Sequence, residues 1–126
     1  KDELVKLLRG FNFTAELNLL VKGKSGNTHE IPIFGKSKSN DDSILIFIKN
    51  QSTGVDESDM NSILIPKLDI DPKNTLLVTV SDVKEGVENM AKHYGINLIS
   101  DPDFSKIISR VEEFVSAWYT NNGGRK

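Results

Sequence analysis

The chain of 126 residues has no cysteine, which excludes disulfide staples and thiolate metal sites. Nowhere does it hold an apolar run near the roughly 18 residues that a membrane helix needs, and no signal-peptide pattern opens it. Both absences lead to the expectation of a cytoplasmic protein with no membrane contact. Excess basic charge is missing too. Sixteen Lys and Arg stand against 18 Asp and Glu, a net charge of −2, and the sequence pI is about 5.7. Dedicated DNA binders carry a basic face and often a basic pI. Overall charge therefore argues against tight nucleic-acid binding, although a net value hides local patches. The length suits one domain with its own core. The expectation is a single domain over residues 1–120 and a frayed tail, Asn-Asn-Gly-Gly-Arg-Lys, over 121–126.

What is present is regular patterning. Leu4, Val5, Leu7 and Leu8 give a short helical stripe that stops at Gly10. Phe13 to Lys22 alternates with a period near two, as a strand does. A turn over Lys22–Asn27 leads to a second strand over His29–Phe34, so the two form a hairpin. Gly35–Asp42 is polar and reads as a mobile loop. Ser43–Lys49 is nearly all apolar, the mark of a strand buried on both faces.

A helix is predicted from about Asp56, with Met60, Ile63, Leu64 and Leu68 at helical spacing and Pro66 ending or kinking it. Thr75–Val80 reads as a buried strand. Ser81 or Asp82 is expected to cap the next helix, with Glu85 completing a capping box on Asp82 and Gly95 as the stop. A short strand over Ile96–Ser100 and a last helix opened by Asp101-Pro102-Asp103 complete the pattern. Strands that alternate with helices after an initial meander imply a mixed sheet covered on both faces.

Three stretches carry a resemblance. Gly-x-Ser-Gly-x-x-His-Glu-Ile-x-Ile spans Gly23–Ile33. Ile-x-Ile-x-x-Lys follows, ending at Lys49. Thr75-Leu-Leu-Val-Thr-Val is then followed by a helix running into Tyr94-Gly-Ile-x-Leu-Ile. In this order, over roughly residues 1–100, they resemble the restriction-endonuclease-like PD-(D/E)XK superfamily, near its archaeal junction resolvases and methylated-DNA restriction nucleases. The resemblance implies an α/β fold with a mixed central sheet of about five strands flanked by helices.

It also implies a site. Such nucleases cut phosphodiesters with one or two divalent cations, and magnesium needs oxygen ligands, chiefly carboxylates. Carried over, the two metal-binding acids fall on Pro32 and Phe47, which cannot ligate through their side chains. Lys49 matches the family lysine, and Glu3 would be the auxiliary acid of the first helix. The expectation is a nuclease fold with a degenerate site, no resident cofactor and no metal. Its role would be a non-catalytic one, binding nucleic acid or protein.

Two alternatives stand beside it. One is an active magnesium-dependent nuclease with relocated acids, pairing Glu30, read as sharing a face with Pro32, with Asp56, Glu57 or Asp59. The other is a self-associating module, a homodimer.

Other residues need weighing. His29 and His93 are candidates for a base or a ligand, but a histidine beside a turn or late on a helix is commonly structural. Lys22, Lys24, Lys36 and Lys38, read as a cluster around the hairpin, together with Lys49, are candidate phosphate contacts for weak, non-specific and salt-sensitive binding. A solvated hairpin kept soluble by charge is the simpler explanation of the four, and no aromatic interleaving supplies a stacking platform. Gly23-Lys24-Ser25-Gly26 lacks the spacing and following helix of a Walker loop. The apolar stripe from Phe104 to Trp118, with Phe114 and Tyr119 beside it, is read as an association or docking surface, with closure of the bottom of the core as the alternative.

Overall fold

The computed structural model describes residues 2–50 and 53–120; the expected tail lies outside them. Helix α1 (Asp2–Gly10) precedes strands β1 (Phe13–Lys22), β2 (Thr28–Ser37) and β3 (Ser43–Ile48). Helix α2 (Glu57–Ile70), strand β4 (Asn74–Thr79), helix α3 (Glu85–Tyr94), strand β5 (Asn97–Ser100) and helix α4 (Phe104–Trp118) follow. The five strands lie side by side in chain order. The first three are antiparallel and β3, β4 and β5 are parallel. This is the mixed five-stranded α/β sheet that the pattern predicts.

Each face of the sheet has its own core. Ile44, Ile46, Leu76 and Val78 pack under α1 and α4. Leu45, Phe47 and Leu77 pack under α2 and α3. Alternate residues of β3 and β4 thus enter opposite cores, which explains why both strands read as unbroken apolar runs. Gly35 lets α1 come close, since a Cβ there would meet Ile44 Cγ2 at 2.9 Å and Leu8 Cδ1 at 3.1 Å.

Several boundaries differ from the expectation. Strand β2 runs on to Ser37, because Gly35 and Lys36 pair with both Ala15 and Thr14 on one side and Ile44 and Ser43 on the other. Helix α2 does not stop at Pro66, which is buried, but runs to Ile70 and ends on left-handed Asp71 (φ 57°). Its start is a capping box between Asp56 and Asp59. Helix α3 begins at Glu85, and its N-cap, Lys84, makes no side-chain cap. The expected cap at Asp82 fails because Val83 is used elsewhere, in a parallel bridge to Val55 that ties the loop after β3 to the loop after β4.

The hairpin of β1 and β2 is bent. Its ladder holds one register throughout but skips the rung of Asn18 and Pro32. Pro32 has no N–H to give, and Asn18 adopts φ 50°, a conformation asparagine tolerates. On one side of this break Ile33 joins the α1/α4 core; on the other Ile31 joins the α2/α3 core. Residues two apart on a regular strand would share a face. The far half of the hairpin is therefore turned over and folds onto α2. The connectivity requires the same. Lys24 N–H donates to Asp69 C=O (2.8 Å) and Lys73 N–H to Ser43 C=O (2.9 Å), and Ser43 pairs with Lys36. A straight β2 would separate its ends by about 26 Å, whereas four residues reach about 14 Å at full stretch.

Trp118 does not face outward as a docking anchor. It is 7% exposed and stacks against Phe13 at 5.0 Å between ring centroids, while Tyr119 meets Phe11 edge-on. Ile107, Val111 and Val115 are buried with it. Trp118→Ala is expected to cost about 3–5 kcal/mol of stability, read by denaturant unfolding, with no change of oligomeric state by sedimentation.

Candidate functional site

The resemblance directs attention to the end of β3. Phe47 is 5% exposed and packs in the α2/α3 core with Met60, Ile63 and Leu77. No hydrated cation fits where its ring lies. Lys49, two residues on, continues the β3/β4 pairing through its N–H to Val78 C=O (3.1 Å). Its side chain is half-buried and makes no salt bridge among the described residues. Asn50 closes the strand end by accepting Val80 N–H on Oδ1 (3.1 Å).

Beyond this end lies a cleft of about 810 Å³ bounded by Asn50, the Thr53–Gly54 turn and residues Val80–Glu85. It opens outside the carboxyl ends of two parallel strands, where ligands of α/β sheets commonly bind. Asp82 and Glu85 set two carboxylates there against the single ammonium of Lys84. That balance favours neither a phosphate nor, without further acids, a magnesium ion.

The expected relocation of acids is not brought together. His29 bonds Asp69 of α2 and Ile31 joins the α2 core, so Glu30 between them points to the opposite face, away from Asp56, Glu57 and Asp59. The premise that Glu30 and Pro32 share a face fails because the strand turns over at Pro32. Asp56 and Asp59 are occupied in their capping box; Asp56 is held below the usual carboxylate range, chiefly by the Ser58 hydroxyl and then the Asp59 N–H. Glu3 is exposed on α1, on the other face of the sheet from Phe47. Among the described residues no group of three or more His, Asp or Glu is placed to hold a metal ion.

The lysine cluster also comes apart. Lys22 pairs with Thr28 at the tip of the hairpin, whereas Lys36 pairs with Thr14 at its base and Lys38 lies beyond. Lys24 is tied to Asp71 (2.9 Å). His93 is exposed on α3 and stacks edge-on against Tyr94.

His29 has a partner that the sequence reading did not supply. Its Nε2 lies 2.7 Å from Asp69 Oδ2, with both side chains 15% exposed. The same carboxylate accepts the Ser25 hydroxyl (2.7 Å) and the Ser25 N–H (2.8 Å). Ser, His and Asp thus meet, but not as a triad. A triad needs the histidine between serine and aspartate; here the aspartate is the hub and both others donate to it. The arrangement clasps the hairpin tip to the end of α2. A Cβ on Gly23 would collide with the Asp69 carboxylate, so that turn position is closed to larger residues. One signal for the clasp was readable: Asp69 and Asp71 stand at a helix C-terminus, where negative charge opposes the dipole and calls for donors.

No protein-family model matches this sequence, and no curated protein matches it. Two solved structures share the fold. A protein of unknown function designated AF1548 superposes with a TM-score of 0.61 at 19% identity, over 77% of this chain and 54% of its own. Protein VC1899 from Vibrio cholerae superposes with a TM-score of 0.70 at 14% identity, over 92% of this chain and 32% of its own. The chain thus spans about half of the first and a third of the second. At these identities the likeness establishes the α/β fold.

The clasp has a pH signature. Hydrogen bonds from His29 and then Ser25 hold the Asp69 carboxyl at about 2, against an ordinary 3.8. A depressed folded value means that the contribution is fully present above 3.8 and fades as pH falls through about 2. Asp69→Asn is expected to lower the melting temperature at neutral pH. The gap between variant and parent should then narrow as pH drops through that window. A gap that is independent of pH would show that the charge of Asp69 plays no part.

Proposed function

We propose that the chain is a non-catalytic domain of the restriction-endonuclease-like superfamily that works by macromolecular contact, not by phosphodiester cleavage. Phe47 carries this reading. An apolar ring fills the core at the position that corresponds to a metal-binding acid, and Pro32 at the other position breaks a strand. The remaining acids near the strand end are caps or face away. Protein is the better-supported class of partner. The chain is acidic overall, its lysines are dispersed, and large apolar side chains stand exposed on β1 and α2, among them Leu20, Ile65 and Leu68.

The purified protein is expected to leave plasmid, junction and single-stranded DNA intact in magnesium or manganese. Neither ion should raise its melting temperature in a saturable way. Cleavage that disappears in Glu30→Gln would overturn the reading and restore a relocated site.

A second reading, contact with nucleic-acid backbone, is favoured by Lys49, half-buried just past the end of β3 without a salt bridge among the described residues. Binding of this kind is weak and independent of sequence, with dissociation constants on the order of 10⁻⁴–10⁻⁶ M. With about three phosphate contacts, log affinity falls with log salt at a slope of about −3. Fluorescence anisotropy with a duplex across a salt series tests it, and Lys49→Ala is expected to flatten the slope by about one. Affinity that persists unchanged at high salt would contradict it.

A further inference from the structure

The turned-over hairpin fixes which main-chain groups of β1 face away from the sheet. Bonds of an antiparallel pair fall on alternate rungs. At the base the bonded rung is Asn12–Lys38, with Lys38 N–H reaching Asn12 C=O at 3.1 Å. Bonded rungs then continue through Thr14 and Glu16, which leaves Ala15 and Leu17 with their N–H and C=O groups pointing outward. Arg9 bears this out by donating from Nη2 to Ala15 C=O at 2.9 Å. At the tip the bonded rung is Gly23–Asn27, at 2.8 Å. Counting back, the bonded residues are Val21 and Leu19, so Leu20 and Lys22 point outward. The phase of the ladder changes at Asn18, where the faces also change. In both halves, a residue whose main chain points outward therefore sets its side chain on the α1/α4 side. Leu17 and Leu20 are exposed there, 38% and 67%.

We infer that β1 pairs antiparallel with β1 of a second copy of this chain, about a two-fold axis between Asn18 and Leu19. Leu17 then lies opposite the partner's Leu20, and Leu20 opposite the partner's Leu17. Each of these two rungs matches outward groups with outward groups and places leucine against leucine on one face, the unit by which sheets are stabilised. Centring the axis on Leu17 would set Leu20 against Thr14, and centring it on Leu20 would set Leu17 against Gly23. Both of those residues already spend their main-chain groups inside the hairpin. A strand arched at its middle is carried onto itself by a two-fold axis along the bisector of the bend, so the arches match. Arg9, seated on Ala15, ends the pairing at either side.

The opposite edge of the sheet offers less. Strand β5 has four residues, and Arg110 donates to Ser100 C=O there at 3.0 Å. An unprotected apolar edge invites another strand, and β1 is the edge that fits itself.

This names a partner for the contact role proposed above and rests on that reading only for its biological meaning. Sedimentation of the full chain across a concentration series tests it. The parent is expected to pass from monomer to dimer within the micromolar to millimolar range. Leu20→Lys should raise the dissociation constant by about tenfold or more and leave the unfolding midpoint unchanged, because Leu20 makes no core contact. Leu20→Pro should do the same by removing one outward N–H, a position where a strand tolerates proline. Should that variant misfold, Leu20→Lys alone decides. A parent that stays monomeric at millimolar concentration, or a dimer indifferent to Leu20→Lys, overturns the pairing. In that case a protein that still fails to cut DNA leaves the non-catalytic reading intact.

Discussion

One missing hydrogen bond organises the hairpin and, through it, much of one face. Pro32 cannot donate across the ladder, and Asn18 opposite takes a left-handed conformation in place of an extended one. The two strands turn over together at that rung without losing register. One hairpin can then contribute to two cores, Ala15 and Ile33 to one and Val21 and Ile31 to the other. The far half becomes a flap over the end of α2, and the Asp69 hub fastens it with bonds from Ser25 and His29. These groups lie 40 to 44 residues apart in the chain.

The order and kind of elements were legible because the apolar periods are clean. Alternation over Phe13–Lys22 and the continuous run over Ser43–Ile48 gave strands in the right places. What was hidden depended on partners distant in sequence. Gly35 and Lys36 look like a loop, yet they sit between two strands that supply ladder bonds on both sides. Val83 reads as helical, yet Val55 captures it and delays α3. The four lysines are neighbours in the chain but not in space: a hairpin of two ten-residue strands sets Lys22 and Lys24 at its tip and Lys36 and Lys38 at its base. A proline in a strand that is not at an edge marks a break in the ladder, so Pro32 signals the turning-over of the hairpin as well as a position without an acid.

The end of β3 borders a cleft, while its inward side chain, Phe47, serves packing. Phe47 contributes apolar burial, which a carboxylate could give only at a large desolvation cost. The Val55–Val83 bridge and the bond from Val80 N–H to the Asn50 side chain stiffen the rim of the cleft, so the rim is held by contacts within the chain that do not depend on a ligand.

The two faces of the sheet also differ in which parts of the chain they need. The α2/α3 core is complete once Leu98 is in place. The other core joins Leu4 and Leu8 to Val115 and Trp118, so the first helix waits for the last. During vectorial synthesis, at roughly 5–20 residues per second, Phe13, Ile44 and Ile46 have no helix from α4 to cover them until the chain from Ile99 to Trp118 has been made. For an interval on the order of a second or more, one side of the sheet is finished and the other is open. In that interval the growing protein is most exposed to non-native association and to chaperones that bind apolar strands.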